Sequence, residues 1–238
     1  MKNQKQRNAP VIAAALLGSA LSLLFTHKAD AATPAKGTDA PVTNTVLRKI
    51  AFSESSYNPG SHNKKSGAAG LFQFKEARWL EVLYKHGDKL KDKTLAHGVG
   101  KRVVDKQVEY YIRDEKTRQH IMDARYDTKT AWEMARAGLT DNARQLDKKM
   151  KHPVERSAIN VYMTQHFGVK GAADFLNTLN ASPKKSFASI TPDWVCERNP
   201  VVCYKDGNPK QPRSVEQVHT MFSVRLDTAP AKMPFTIK

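Results

Sequence analysis

The chain predicts a mainly α-helical single domain. Apolar residues recur with helical period almost everywhere beyond residue 40, and no convincing run of alternating residues marks a sheet. The length left behind a short leader suits one sizeable core, and no internal repeat divides it.

The leader comes first. Lys2, Lys5 and Arg7 form a positive start, residues 11–25 are an apolar run, and Ala29-Asp30-Ala31 is a small-x-small cleavage site. This is the three-part plan of a secretory signal peptide over residues 1–31. The apolar run is about fifteen residues, short of the roughly twenty that span a bilayer. Residues 32–40, rich in Thr, Pro, Ala and Gly, read as a flexible lead-in, and residues 229–238 as a loose tail. Between them lies one domain, residues 41–228, in a protein expected to be periplasmic or secreted.

Within the domain, Thr43 or Asn44 caps a first helix that ends at the turn Tyr57-Asn58-Pro59-Gly60. Projected at about 100° per residue, Glu54 falls between Ile50 and Leu47 on the apolar stripe, while Arg48 and Lys49 face away. It also sits in the last turn, where the helix dipole is negative. Desolvation and the dipole both oppose ionisation. A carboxyl kept neutral near neutral pH is what a general acid requires.

The small run Gly67-Ala68-Ala69-Gly70 leaves room for another backbone or an extended ligand, and Ser66 just before it, like Asn142 further on, is a candidate substrate-binding residue. Gln73 follows at the edge of a stripe formed by Leu71, Phe72, Trp79, Val82 and Leu83, read as one entering helix. Its amide can serve a sugar hydroxyl or acetamido group. Residues 88–117, rich in Lys and Asp, read as surface helix and loop. Asp127 caps a long helix reaching about Met150, with Asn142 on its apolar side. Pro153 suits a helix start, and on the helix it opens Val154, Ala158, Ile159 and Val161 share a side with Tyr162, Gln165 and His166. Tyr162 and Gln165 are placed to line a cleft facing Glu54. Ser214 and Gln217 form a capping box for a last helix.

Cys196 and Cys203 predict a disulfide in an oxidising compartment. Two thiols without histidines at ligand spacing do not close a metal site, and no HExxH cluster exists, so no metal or other cofactor is expected. Formal charge is +16, and the leader holds only four of the 39 Lys and Arg residues. In an exported protein such charge points to an anionic wall polymer or membrane surface rather than to nucleic acid. Membrane association is expected only if the leader is retained.

Glu54-Ser55-Ser56-Tyr57-Asn58-Pro59, followed by Gly67-Ala68-Ala69-Gly70-Leu71-Phe72-Gln73, resembles the two opening motifs of the soluble lytic transglycosylase catalytic domain. Residues 135–142 and 162–176 look like a subgroup of bacterial transglycosylase-like proteins, so the similarity spans roughly residues 46–226. The resemblance implies a lysozyme-like domain of packed helices with a cleft. It implies cleavage of the MurNAc-β-1,4-GlcNAc bond of peptidoglycan glycan strands by a single glutamate, Glu54, leaving 1,6-anhydroMurNAc ends. One stretch departs from the family pattern: where an AYNxG-like motif carries a supporting tyrosine, this chain reads Thr164-Gln165-His166-Phe167-Gly168. Gln165 takes the tyrosine's place, and Tyr162, one turn earlier, is the alternative phenol. Two other readings stay open, a hydrolytic lysozyme on the same fold and a non-catalytic wall-binding protein.

Overall fold

The computed structural model describes residues 42–152 and 154–237; the expected leader, lead-in and Pro153 lie outside them. The chain forms α1 (Asn44–Ser55), β1 (His62–Asn63), β2 (Ala68–Ala69), α2 (Glu76–His86), α3 (Lys93–His97), β3 (Val99–Val104) and β4 (Gln107–Ile112). It continues through α4 (Arg118–Asp123), α5 (Thr128–Lys149), α6 (Ala158–Ala181), α7 (Asp193–Arg198), α8 (Pro200–Cys203) and α9 (Val215–Asp227). The architecture is mainly α, as the helical period predicts.

Local chemistry explains the helix ends. Thr43 accepts from the Val46 amide, Asp127 from Thr130, and Ser214 and Gln217 form the reciprocal capping box. The helix expected at Pro153 starts later: Ser157 caps α6, and Val154 lies before it, outside any helix. α6 is broken at Gly168, whose φ of 68° and ψ of 169° leave the helical region.

The core is assembled from α1, α2, α5, α6 and α9. α5 packs along α6, α1 lies against α6 and α9, and α2 rests on α5. Leu47, Ile50 and Ala51 of α1, Trp79 and Leu83 of α2, Met134 of α5, Met163 of α6 and Val218 of α9 are almost wholly withdrawn from solvent. Each fully buried large apolar side chain contributes about 1.5–3 kcal/mol. Cys196 and Cys203 are joined by a disulfide linking α7 to α8.

Three expectations are corrected. Residues 88–117 contain, besides short helical turns, an antiparallel hairpin of β3 and β4, pairing Val99 with Ile112 and Val103 with Val108. Its two-residue turn puts Asp105 and Lys106 at φ 50° and 64°, the left-handed geometry that hairpins favour. Gln73 is not on a helix: it sits at φ 49° in a turn closed by the Ala69–Phe74 bridge, and α2 begins only at Glu76. The tail is not loose over its described part: Met233, Phe235 and Ile237 pack against the core, with the Phe235 ring edge-on to Tyr57 at 6.4 Å.

The small-residue run serves another backbone. A Cβ on Gly70 would lie 1.9 Å from the Arg125 carbonyl oxygen, and the residue sits at φ 77°. The buried Arg125 guanidinium holds the same loop, donating to the carbonyls of Gly67 (3.1 Å) and Phe74 (3.2 Å) from Nη1 and to Met122 (2.9 Å) from Nε. Gly67, at φ 69°, has open space where its Cβ would be. Gly70→Ala is therefore expected to cost more than about 3 kcal/mol, by backbone collision as well as strain. Gly67→Ala should cost only the left-handed penalty of about 1–2 kcal/mol, and urea unfolding of the two variants measures the difference.

Candidate functional site

α1 ends where the sequence predicts. Ser56 takes the left-handed conformation, φ 52°, and its amide closes on Phe52 O at 2.8 Å. The first motif is then fastened to the second: Ser55 Oγ donates to Leu71 O at 2.9 Å, and the Gly70 amide donates to Ser61 O at 2.8 Å. Glu54 is thereby fixed at the mouth between α1, the Gly70–Phe74 turn and α6.

A cleft of about 490 Å³ opens there. Glu54, Phe72, Gln73, Asn142, Gln165 and His166 line it, together with Lys75, Arg78 and Glu81 on the α2 side. The Glu54 side chain is only 8% exposed. Gln165 Nε2 donates to Glu54 Oε1 at 3.1 Å. The Tyr162 hydroxyl lies 2.8 Å from Ser53 Oγ and acts on the Glu54 carboxyl by lowering its pKa.

Burial dominates the electrostatics. Desolvation pushes the Glu54 carboxyl from 4.5 up to about 7, although Arg225, the Tyr162 hydrogen bond and Lys75 all pull it down. The sequence shows no base one turn away, and the two cations arrive from elsewhere: Arg225 from α9, its Nη2 donating to Ser53 O at 2.6 Å, and Lys75 from the segment before α2. Burial also raises the Tyr162 phenol and, with Arg225 and Lys75, pushes His166 down to about 3. At neutral pH the site holds a carboxyl near half-protonation, a neutral phenol and a neutral imidazole.

The remaining predicted residues are placed as follows. Gln165 reaches Glu54 directly. Tyr162 reaches it too, but from beneath: it is 1% exposed and supports the carboxyl instead of lining the cleft. Gln73 lines the cleft, yet its amide nitrogen donates to Ser61 O (3.2 Å) and Gly70 O (3.0 Å), so its amide oxygen is what it offers a ligand. Asn142 lines the cleft while its Oδ1 accepts from Arg78 Nη2 at 3.0 Å and its Nδ2 donates to Thr164 at 3.3 Å. Ser66 is not brought to the cleft: its hydroxyl accepts from the Ala68 amide within its own turn.

Arg225, Ser53, Lys75 and the Arg78–Glu81–Lys85 cluster escape the sequence reading. Arg78 and Lys85 both pair with Glu81, at 2.8 and 2.6 Å. Burial works to raise the Glu81 carboxyl, but Arg78 and Lys85 together override it and hold it below its ordinary range. The cleft thus has two carboxyls pushed in opposite directions, Glu81 down by its paired cations and Glu54 up by burial. The i, i+3 and i, i+4 spacing on α2 was the available signal for this cluster.

No family model matches the chain, and no curated protein matches it.

Because the folded state raises the Glu54 pKa, folding is favoured most by this group below about pH 4.5, and that contribution is lost as pH climbs through about 7. The loss amounts to about 3 kcal/mol. Glu54→Gln should remove it, so the stability of the wild type relative to the variant should fall by that amount between pH 4 and pH 8 in paired urea titrations. Parallel curves would show that the carboxyl is not desolvated.

Proposed function

We propose that the protein is a lytic transglycosylase that cleaves the MurNAc-β-1,4-GlcNAc bond of peptidoglycan with Glu54 as its single acid and base. One observation carries this reading: a carboxyl nine-tenths buried in a cleft, raised to about 7 and held by Gln165 and Tyr162, can keep a proton for a glycosidic oxygen. The resemblance of the Glu54 and Gly67–Gln73 stretches to the transglycosylase motifs supplies the substrate class.

In this mechanism Glu54 protonates the glycosidic oxygen, and the C1–O bond breaks with its electron pair leaving on that oxygen. The substrate's own acetamido group stabilises the sugar cation, as in substrate-assisted glycosidases. The Glu54 carboxylate then takes the proton from the C6 hydroxyl as that oxygen bonds to C1, which closes the 1,6-anhydro ring and restores the acid. No water is consumed. Glu81 is left out of this scheme, its carboxylate being engaged by Arg78 and Lys85 on α2.

The departure at the third motif does not deprive Glu54 of support. Gln165 substitutes an amide donor for the phenol expected at its position, and Tyr162 brings a phenol one turn earlier. The Gln165 donor and the Tyr162 phenol favour the anionic form that must act as base. Excess positive charge over the chain favours attraction to an anionic wall, screened over about 8 Å at physiological salt.

Digestion of purified peptidoglycan followed by mass spectrometry tests the reading. The expected products end in anhydro sugars, one water lighter than the hydrolytic products that a lysozyme would release. Glu54→Gln should lower release by about 1,000-fold or more with wall binding retained. Turnover should also decline tenfold per pH unit above about 7 as Glu54 loses its proton. Wall binding without glycan release from the wild type would identify a binding protein instead.

A further inference from the structure

The network around Glu54 leaves one polar atom aside. His166 Nε2 lies 3.5 Å from Glu54 Oε1, its side chain is 9% exposed, and it is the one buried side-chain nitrogen or oxygen without a hydrogen-bond partner among the described residues. That separation is too long for a good hydrogen bond, and a buried orphan donor or acceptor is costly. The ring has been fixed there by packing: it stands edge-on to Tyr162 at 4.2 Å and lies 5.2 Å from Phe222.

We propose that His166 is a positioning residue for the ionised form of Glu54, its Nε2–H held in reserve beside Oε1 and closing on it once the carboxyl has given up its proton. A neutral carboxyl makes little demand on a second donor at Oε1, where Gln165 Nε2 already sits at 3.1 Å. Ionisation adds charge and acceptor capacity to that oxygen, and charge-assisted N–H···O bonds contract to about 2.7–2.9 Å. The ring needs to advance by less than about 1 Å.

No proton passes to or from the imidazole. The proton leaves Glu54 for the substrate oxygen and returns from the substrate hydroxyl, while His166 stays neutral throughout. Burial, Arg225 and Lys75 depress its basicity, which keeps the imidazole neutral beside the carboxyl. The groups facing Glu54 are Tyr162, Gln165 and His166 on α6, Arg225 on α9 and Lys75 before α2, beside Ser53 on its own helix.

The inference rests on the proposed catalytic role of Glu54 for its purpose, and its test does not. Titration of the Glu54 carboxyl carbon by NMR in the full chain reads the interaction without substrate. His166→Phe keeps a ring against Tyr162 and Phe222 but has no donor, and should raise the Glu54 midpoint by about one pH unit. His166→Gln, which restores an N–H, should recover most of that shift, with helicity unchanged by circular dichroism. Should the phenylalanine variant not fold, His166→Met, flexible and apolar, carries the same expectation. A midpoint unmoved in a folded variant without a donor overturns the proposal. A shift in a protein that releases no glycan would sustain it while sinking the transglycosylase reading.

Discussion

Withdrawing one carboxyl from water is the constraint on which α1, α6 and α9 converge, because the desolvation that raises Glu54 would be ruinous without partners able to receive its charge. The fold supplies them from three directions. Gln165 donates from α6, where the Tyr162 phenol also favours the anion, Arg225 stands on α9 with its guanidinium on the Ser53 carbonyl, and Lys75 approaches from the segment before α2. Burial still prevails, so the group is poised between its two states instead of being locked in either. A surface glutamate with the same neighbours would remain an ordinary anion.

The loop that forms the opposite wall depends on an equally local fit. Gly70 allows the chain to run against the backbone at Arg125, and Arg125 ties that loop through the carbonyls of Gly67 and Phe74. Ser55, the neighbour of Glu54, then hydrogen-bonds the Leu71 carbonyl. The acid and the wall it faces are thus joined through the Ser55 hydroxyl, on the residue next to Glu54, and the Leu71 main chain.

Much of this was legible in the sequence, and the parts that were not have physical causes. Helical period and capping chemistry predict α1, α5 and α9 closely, because Thr43, Asp127 and Ser214 act within a few residues of themselves. The hairpin was hidden: Val103 and Val104 fall on opposite faces, most of its residues are exposed, and its turn is Asp-Lys without glycine, so neither alternation nor turn composition betrays it. Pro153 suggests a helix start, but the side-chain cap that opens α6 belongs to Ser157. The position of Glu54 could be deduced from its wheel, and Gln165 and Tyr162 from theirs. Arg225 could not, since a basic residue near a helix end usually answers its own dipole. Only the packing of α9 across α1 reveals that it serves Glu54, about 170 residues earlier in the chain.

The break at Gly168 separates two tasks along one helix. Upstream stand Tyr162, Gln165 and His166; downstream, Phe175 and Leu176 anchor the chain in the core. In an unbroken helix, losing one residue rotates everything beyond it by about 100° relative to what came before. Here the non-helical joint interrupts that phase, so the three side chains aimed at the carboxyl and the residues that anchor the chain belong to separately oriented halves of one continuous stretch.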